Sequence, residues 1–285
     1  MLKFDINNYK LTGNVKSVVN KTFYTQNNEI NRERFASLSW KFNEFGLITH
    51  SKSVEYNGLI YSNYIFLYNE KNQCVGRLFM NDDKISSRDV FKYDDSGRII
   101  EKKFVREPDY VVGREELIFD LDNKMETKIF YSTTGKIIKK EISYFDINKL
   151  KLFEVVENNK VIREYKYFYP DKFTKEVEHY DANKILSMKT KVIYDKFGNL
   201  TEDFEYSVDN KETRYRFQTN KYNPKNELIE ELSGSRSVPI HWKRVYKYDK
   251  IGNKILEEKY LPNKSKFPVI QLYLESVTET EIEYY

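Results

Sequence analysis

One pattern recurs along the chain and constrains what it can fold into: an aromatic residue, Asp or Asn, two variable positions, Gly, one further position, then Ile or Leu. In the first half it is read at Phe42-Asn43-Glu44-Phe45-Gly46-Leu47-Ile48, at Tyr68 to Cys74, at Tyr93 to Ile99 and at Tyr131 to Ile137. In the second half it returns at Tyr194 to Leu200, Tyr222 to Leu228 and Tyr248 to Lys254. Degenerate copies begin at Phe119-Asp120, Phe145-Asp146 and Tyr180-Asp181. The step between copies is about 25 or 26 residues, and in places it halves to about 12 to 14, which identifies a true repeat. A unit of about 25 residues is read as two strand pairs' worth of chain, either of whose turns can carry the signature.

The pattern is a turn. An Asp or Asn side chain at its first polar position accepts hydrogen bonds from backbone N–H groups two or three residues on, which stabilises a type I turn. Gly or Asn three residues later tolerates the left-handed conformation that returns the chain to the sheet through a bulge. The aromatic ends the incoming strand and the Ile or Leu begins the outgoing one, so the two pack across the hairpin on one face. The flanks alternate as half-buried strands do: Leu38, Trp40 and Phe42 share one parity, Tyr165, Tyr167 and Tyr169 another, and Trp242, Tyr246 and Tyr248 a third. Tyr64 to Tyr68 is apolar on both parities and reads as a strand covered on both faces.

These signals predict an all-β chain of repeated antiparallel β-hairpins, forming one long meandering, curved or wound sheet. No interdomain linker stands out, so a single domain is expected over 1–285. Within it, 1–35 holds N-terminal capping strands, 36–262 the repeats and 263–285 a closing strand. Glu107 to Gly113 and Ser233 to Pro239 break the rhythm and are expected to be protruding loops.

Composition bounds the function. Lys and Arg number 48 against 44 Asp and Glu, a net charge of +4 with the signs interspersed, which argues against a nucleic-acid partner. The 24 Tyr and 19 Phe make an aromatic-rich core whose phenols sit at its edge. The single cysteine, Cys74, allows no intrachain disulfide and occupies an Ile/Leu position of the repeat, where a small core residue is expected. No signal peptide or membrane-spanning segment is visible, so the expected location is cytoplasmic, without membrane insertion.

The copies at Tyr93, Tyr194 and Tyr248, which keep both Tyr-Asp and Gly, resemble YD repeats, the unit of rearrangement-hotspot proteins, teneurins and insecticidal toxin-complex shells. The resemblance runs from about Phe42 to Tyr260 and is to a small standalone member. It implies wound β-sheet, and an association with polymorphic toxins. The encapsulating activity of the large shells does not follow, because a shell takes many more repeats than this chain has.

The search for chemistry is short. His50, His179 and His241 fall in three different repeats without metal-ligand spacing, so no metal site and no cofactor is expected. No nucleophile motif or phosphate-binding glycine loop occurs. The acidic pairs Glu115-Glu116, Glu230-Glu231 and Glu257-Glu258 put their members on opposite faces of strands, as a solvated surface does. The expectation is therefore a non-enzymatic protein-interaction module, with a bacterial immunity or toxin-associated partner-binding role as its finer form. The alternative is a carbohydrate- or cell-envelope-binding protein using exposed aromatic faces. Candidate partner-binding residues are Arg236, His241, Trp242, Lys243 and Arg244, where cations and Trp meet a loop, together with Tyr110. Trp242 also shares parity with Tyr246 and Tyr248, the position of a core residue.

Overall fold

The computed structural model describes residues 11–26, 29–81, 84–146, 149–208, 214–235, 237–263 and 272–285. The first strands are β1 (Val15–Gln26), β2 (Glu29–Phe42), β3 (Ile48–Val54), β4 (Ile60–Tyr68), β5 (Cys74–Asn81), β6 (Lys84–Tyr93) and β7 (Ile99–Arg106). They continue as β8 (Tyr110–Asp120), β9 (Met125–Tyr131), β10 (Ile137–Asp146), β11 (Lys149–Glu157), β12 (Lys160–Phe168), β13 (Thr174–Tyr180) and β14 (Leu186–Tyr194). The last are β15 (Leu200–Ser207), β16 (Arg214–Tyr222), β17 (Leu228–Ser235), β18 (Trp242–Tyr248), β19 (Lys254–Pro262) and β20 (Leu272–Tyr284). Every strand pairs antiparallel with the one before and the one after it, and β20 pairs with β1. The sheet is thus a closed up-and-down barrel of 20 strands, which leaves no sheet edge open. β1, expected to cap the sheet, is a wall strand paired on both sides.

Following paired residues once around the wall returns to β1 about 20 residues further along, which sets the stagger of the barrel. With ordinary strand spacing that gives a strand tilt of about 35° and a backbone cylinder of about 18 Å radius. The accessible surface is 18615 Å². A compact chain of 34.4 kDa exposes about 12,900 Å². The surplus follows from a wall one sheet thick that water wets on both sides.

The repeat explains the wall. Its unit is one up-and-down strand pair, half of what the spacing suggested, so copies 26 residues apart return to the same rim. This motif rim carries the copies at Phe42, Tyr68, Tyr93, Tyr194, Tyr222 and Tyr248; those at Tyr131 and Tyr180, half a step away, lie on the far rim. Asn69 Oδ1 accepts from the N–H of Lys71 and Gln73 at 3.0 and 2.9 Å, and Asp195 Oδ1 does the same with Phe197 and Asn199. The reach is therefore two and four residues. Gly97 and Gly198 take φ of 78° and 83°, and Asn72 and Asn226 fill the same left-handed place at 56° and 62°. The pairing register shifts by a residue at each motif-rim aromatic, as a bulge requires.

Tyrosine adds a bond that phenylalanine lacks. The hydroxyls of Tyr68, Tyr93, Tyr222 and Tyr248 donate to the carbonyls of Ile48, Cys74, Leu200 and Leu228, each on the preceding strand, at 2.7–2.8 Å. Each bond joins one hairpin to the next where the ladder has run out. Phe42, the first copy, donates nothing, but its carbonyl accepts from the Tyr285 hydroxyl at 2.6 Å across the closing seam. At the same seam Asn253, fully buried, accepts from the Thr12 N–H at 2.6 Å and donates to the Thr12 carbonyl at 3.0 Å and the Tyr284 hydroxyl at 2.8 Å.

Candidate functional site

Alternate residues face the two sides of the wall, and the concave side is the more crowded. Burial pushes the Cys74 thiol up to about 11 and the Tyr93 and Tyr248 phenols up to about 12, and raises Tyr246 still further. All four project from one face, which is the inner one. Trp40, Phe66 and Phe91 share it and, with Val18, Phe42, Ile48 and Cys74, form a buried cluster beneath the motif rim. Cys74 is therefore the small core residue its repeat position predicted.

Both faces carry ion pairs at mid-strand. On the inner face Arg77 meets Asp89 at 2.5 Å, Lys128 meets Glu115 at 3.1 Å and Lys139 meets Glu141 at 2.7 Å. On the outer face Lys103 meets Glu101 at 3.3 Å, Lys189 meets Glu178 at 2.9 Å and Lys243 meets Glu230 at 2.7 Å. No helix among the described residues is long and apolar enough to cross a membrane. No group of three or more metal-ligating side chains among the described residues is placed to hold a metal ion.

The residues singled out from the sequence do not come together. The hairpins β7–β8 and β17–β18 both end on the far rim but on opposite sides of it, five hairpins apart in a ring of ten. Tyr110 is on the first, and His241, Trp242, Lys243 and Arg244 are on the second. Among these, His241 is exposed, Trp242 and Arg244 face inward, and Lys243 faces outward. The Arg244 guanidinium lies 4.6 Å over the Trp242 ring and within 3.6 Å of Glu231 and 3.4 Å of Glu257, so it belongs to the inner wall. Arg236 lies outside the described residues.

The two expected loops are also modest. Glu107 to Asp109 is a tight turn and Tyr110 already begins β8, so no long loop protrudes there. The segment 237–241 folds back on β17: Ser235 N–H donates to the Val238 carbonyl at 2.7 Å and His241 N–H to the Ser233 carbonyl at 2.8 Å. A Cβ on Gly234 would stand 2.2 Å from the Pro239 carbonyl oxygen and 2.6 Å from the Phe217 ring, so only glycine admits this fold-back.

Sequence reasoning picked out Tyr110 but missed the exposed apolar surface to which it belongs. On the far rim, adjacent hairpins present Tyr56, Leu59 and Tyr61 (57%, 64% and 73% exposed), then Ile85, then Tyr110 with Val111 and Val112, then Ile137 and Ile138. They form an arc from β3 to β10. Apolar tips on the motif rim, such as Phe45, Leu121 and Phe197, are single and are separated by turns with polar tips. A signal for the arc existed: Leu59-Ile60-Tyr61 and Tyr110-Val111-Val112 are apolar on both parities where the strand begins, beyond the reach of neighbouring side chains.

No family model matches the chain, and no curated protein matches it in sequence. Among solved structures, a porin-like protein from Bacteroides uniformis is 9% identical, with 94% of this chain aligned to 98% of that one at a TM-score of 0.42. The TcdB2–TccC3 complex is 11% identical over 94% of this chain and 20% of that one, at a TM-score of 0.32. A porin-like protein from Bacteroides vulgatus is 10% identical over 93% and 97%, at 0.23. At these scores neither the porin nor the toxin names transfer to this chain.

Proposed function

We propose that the protein is a non-enzymatic interaction module whose far rim takes a protein partner. The observation that carries this reading is the apolar arc: Tyr56, Leu59, Tyr61, Tyr110 and Ile137 stand exposed on neighbouring hairpins of one rim. Contiguous exposed apolar patches mark interaction surfaces, and Tyr is a favoured interface residue. The arc lies at the ends of strands whose mid-sections are held by ion pairs, so it sits on a fixed frame. The finer reading, a bacterial immunity or toxin-associated partner, rests on the likeness of the turn motif to YD repeats.

The test is photo-crosslinking in the native host from a benzophenone side chain placed at Tyr61 or at Tyr110, against one placed at Phe45 on the motif rim. A protein captured from both far-rim sites and not from Phe45, with affinity reduced at least about tenfold by the double variant Tyr61→Ser/Tyr110→Ser, supports the reading. Capture that is equal at Phe45, or absent from the far rim, overturns it.

A further inference from the structure

A second surface lies on the opposite rim and inside the barrel, and it stands independently of the far-rim reading. β12 presents Tyr165 and Tyr167 at alternate positions about 7 Å apart on the inner wall, and Tyr169 follows just beyond its end at the motif rim. Each is half-buried. Tyr165 packs against Phe153 of β11 at 5.6 Å and edge-on against His179 of β13 at 4.9 Å. Burial first, then the neighbouring phenols of Tyr165 and Tyr169, push the Tyr167 hydroxyl up, so it stays protonated and able to donate.

At the motif-rim end of this column the wall opens. The ladder between β11 and β12 stops at Leu152 and Lys166, and the turn that follows, Tyr169-Pro170-Asp171-Lys172-Phe173, lacks the glycine of the motif. Among the described residues, the Tyr169 hydroxyl, 3.1 Å from the Leu150 carbonyl, and the Lys149 ammonium, 4.7 Å over the Tyr169 ring, span the gap. The result is a crevice of about 640 Å³, well within the range of small-ligand sites, walled by Tyr167, Phe168, Tyr169 and Pro170 and edged by Lys151 and Asp146. Glu176 and Glu178 also line it, but they are engaged by Lys191 at 3.0 Å and Lys189 at 2.9 Å.

We propose that this crevice and the tyrosine column leading from it bind a neutral oligosaccharide. The rings offer flat apolar faces for the C–H faces of successive pyranoses, and their hydroxyls offer polar edges. Lys151 and Asp146 supply a donor and an acceptor for sugar hydroxyls. With Glu176 and Glu178 held by lysines, the opening keeps Asp146 against Lys149 and Lys151, a mixed-sign edge in place of the cation cluster that recognises phosphate. A purely apolar ligand would cover Lys151 and Asp146 without pairing them, at the cost of desolvating both charges. A chain of neutral rings satisfies both the stacking faces and the polar edge, and the column gives it a direction into the lumen.

The experiment is calorimetric titration of the full chain with cellohexaose, maltohexaose, xylohexaose and chitohexaose, alongside a single-stranded oligonucleotide. Saturable binding of at least one sugar is expected. Tyr167→Leu, which keeps the apolar volume, and Tyr165→Ala should each weaken it at least about tenfold, while Tyr61→Ala on the far rim leaves it unchanged. Circular dichroism of each variant confirms that the barrel is retained. If no sugar binds, if the oligonucleotide binds in their place, or if affinity survives Tyr167→Leu, the assignment fails. The far-rim reading is untouched by any of these results.

Discussion

At the residue scale, the repeat uses its aromatic position for two separate jobs. At each motif-rim copy the ring is buried or half-buried beneath the rim, which Phe does as well as Tyr. The hydroxyl does something else: it reaches the preceding strand at Tyr68, Tyr93, Tyr222 and Tyr248. Phe119 and Phe145 occupy the same position without it, and a cavity of about 300 Å³ opens between them, lined also by Leu121 and Met125. A hydroxyl-to-carbonyl bond of this kind is worth about 1 kcal/mol net. Tyr68→Phe and Tyr222→Phe are therefore expected to lose about 1 kcal/mol each in urea unfolding, and about 2 kcal/mol together, because the sites are far apart and share no partner. An effect below a few tenths of a kcal/mol for both would show that the ring alone carries the position.

At the element scale, the turns were legible and the closure was not. The Asx position, the left-handed residue and the bulge are all encoded within seven consecutive residues, so Asp195 or Asn223 announces its hairpin without any distant information. The far-rim copies at Tyr131 and Tyr180 were equally visible, and their half-step is what an alternation of rims produces. Closure depends on the sum of twenty registers, and on contacts such as Asn253 to Thr12, 241 residues apart in sequence, which no local pattern carries. The candidate site suffered from a related blindness. Parity put Trp242 and Arg244 on one face and Lys243 on the other, yet a run of interface-prone residue types read as one surface. Asn253 is the element that commits the closing seam. Asn253→Ala leaves the Thr12 N–H and carbonyl without their buried partner, a loss of about 2–3 kcal/mol. Asn199→Ala, at the same motif position in an inner hairpin, forfeits only a bond to Asp195 and should cost under about 1 kcal/mol. Equal losses from the two substitutions would mean that the seam is no more dependent on this residue than any other hairpin.

At the scale of the whole molecule, the ion pairs on both faces, the half-buried tyrosines and the large accessible surface have one common cause: the wall is a single sheet with water on each side. A chain of 34.4 kDa exposes about 50,000 Å² when unfolded, so with 18615 Å² exposed in the fold only about 63% of that surface is buried, against about 75% for a compact chain of similar length. The heat-capacity change of unfolding scales with the surface newly exposed, and compact proteins give about 12–15 cal/mol/K per residue. The barrel should therefore give about 10–12.5 cal/mol/K per residue in calorimetry at several pH values. A value in the ordinary range would mean that the cylinder flattens in solution until its inner faces meet, closing the lumen. In that case the tyrosine column would be core, the crevice at its end would have no interior to lead into, and only the far-rim arc would remain as a binding surface.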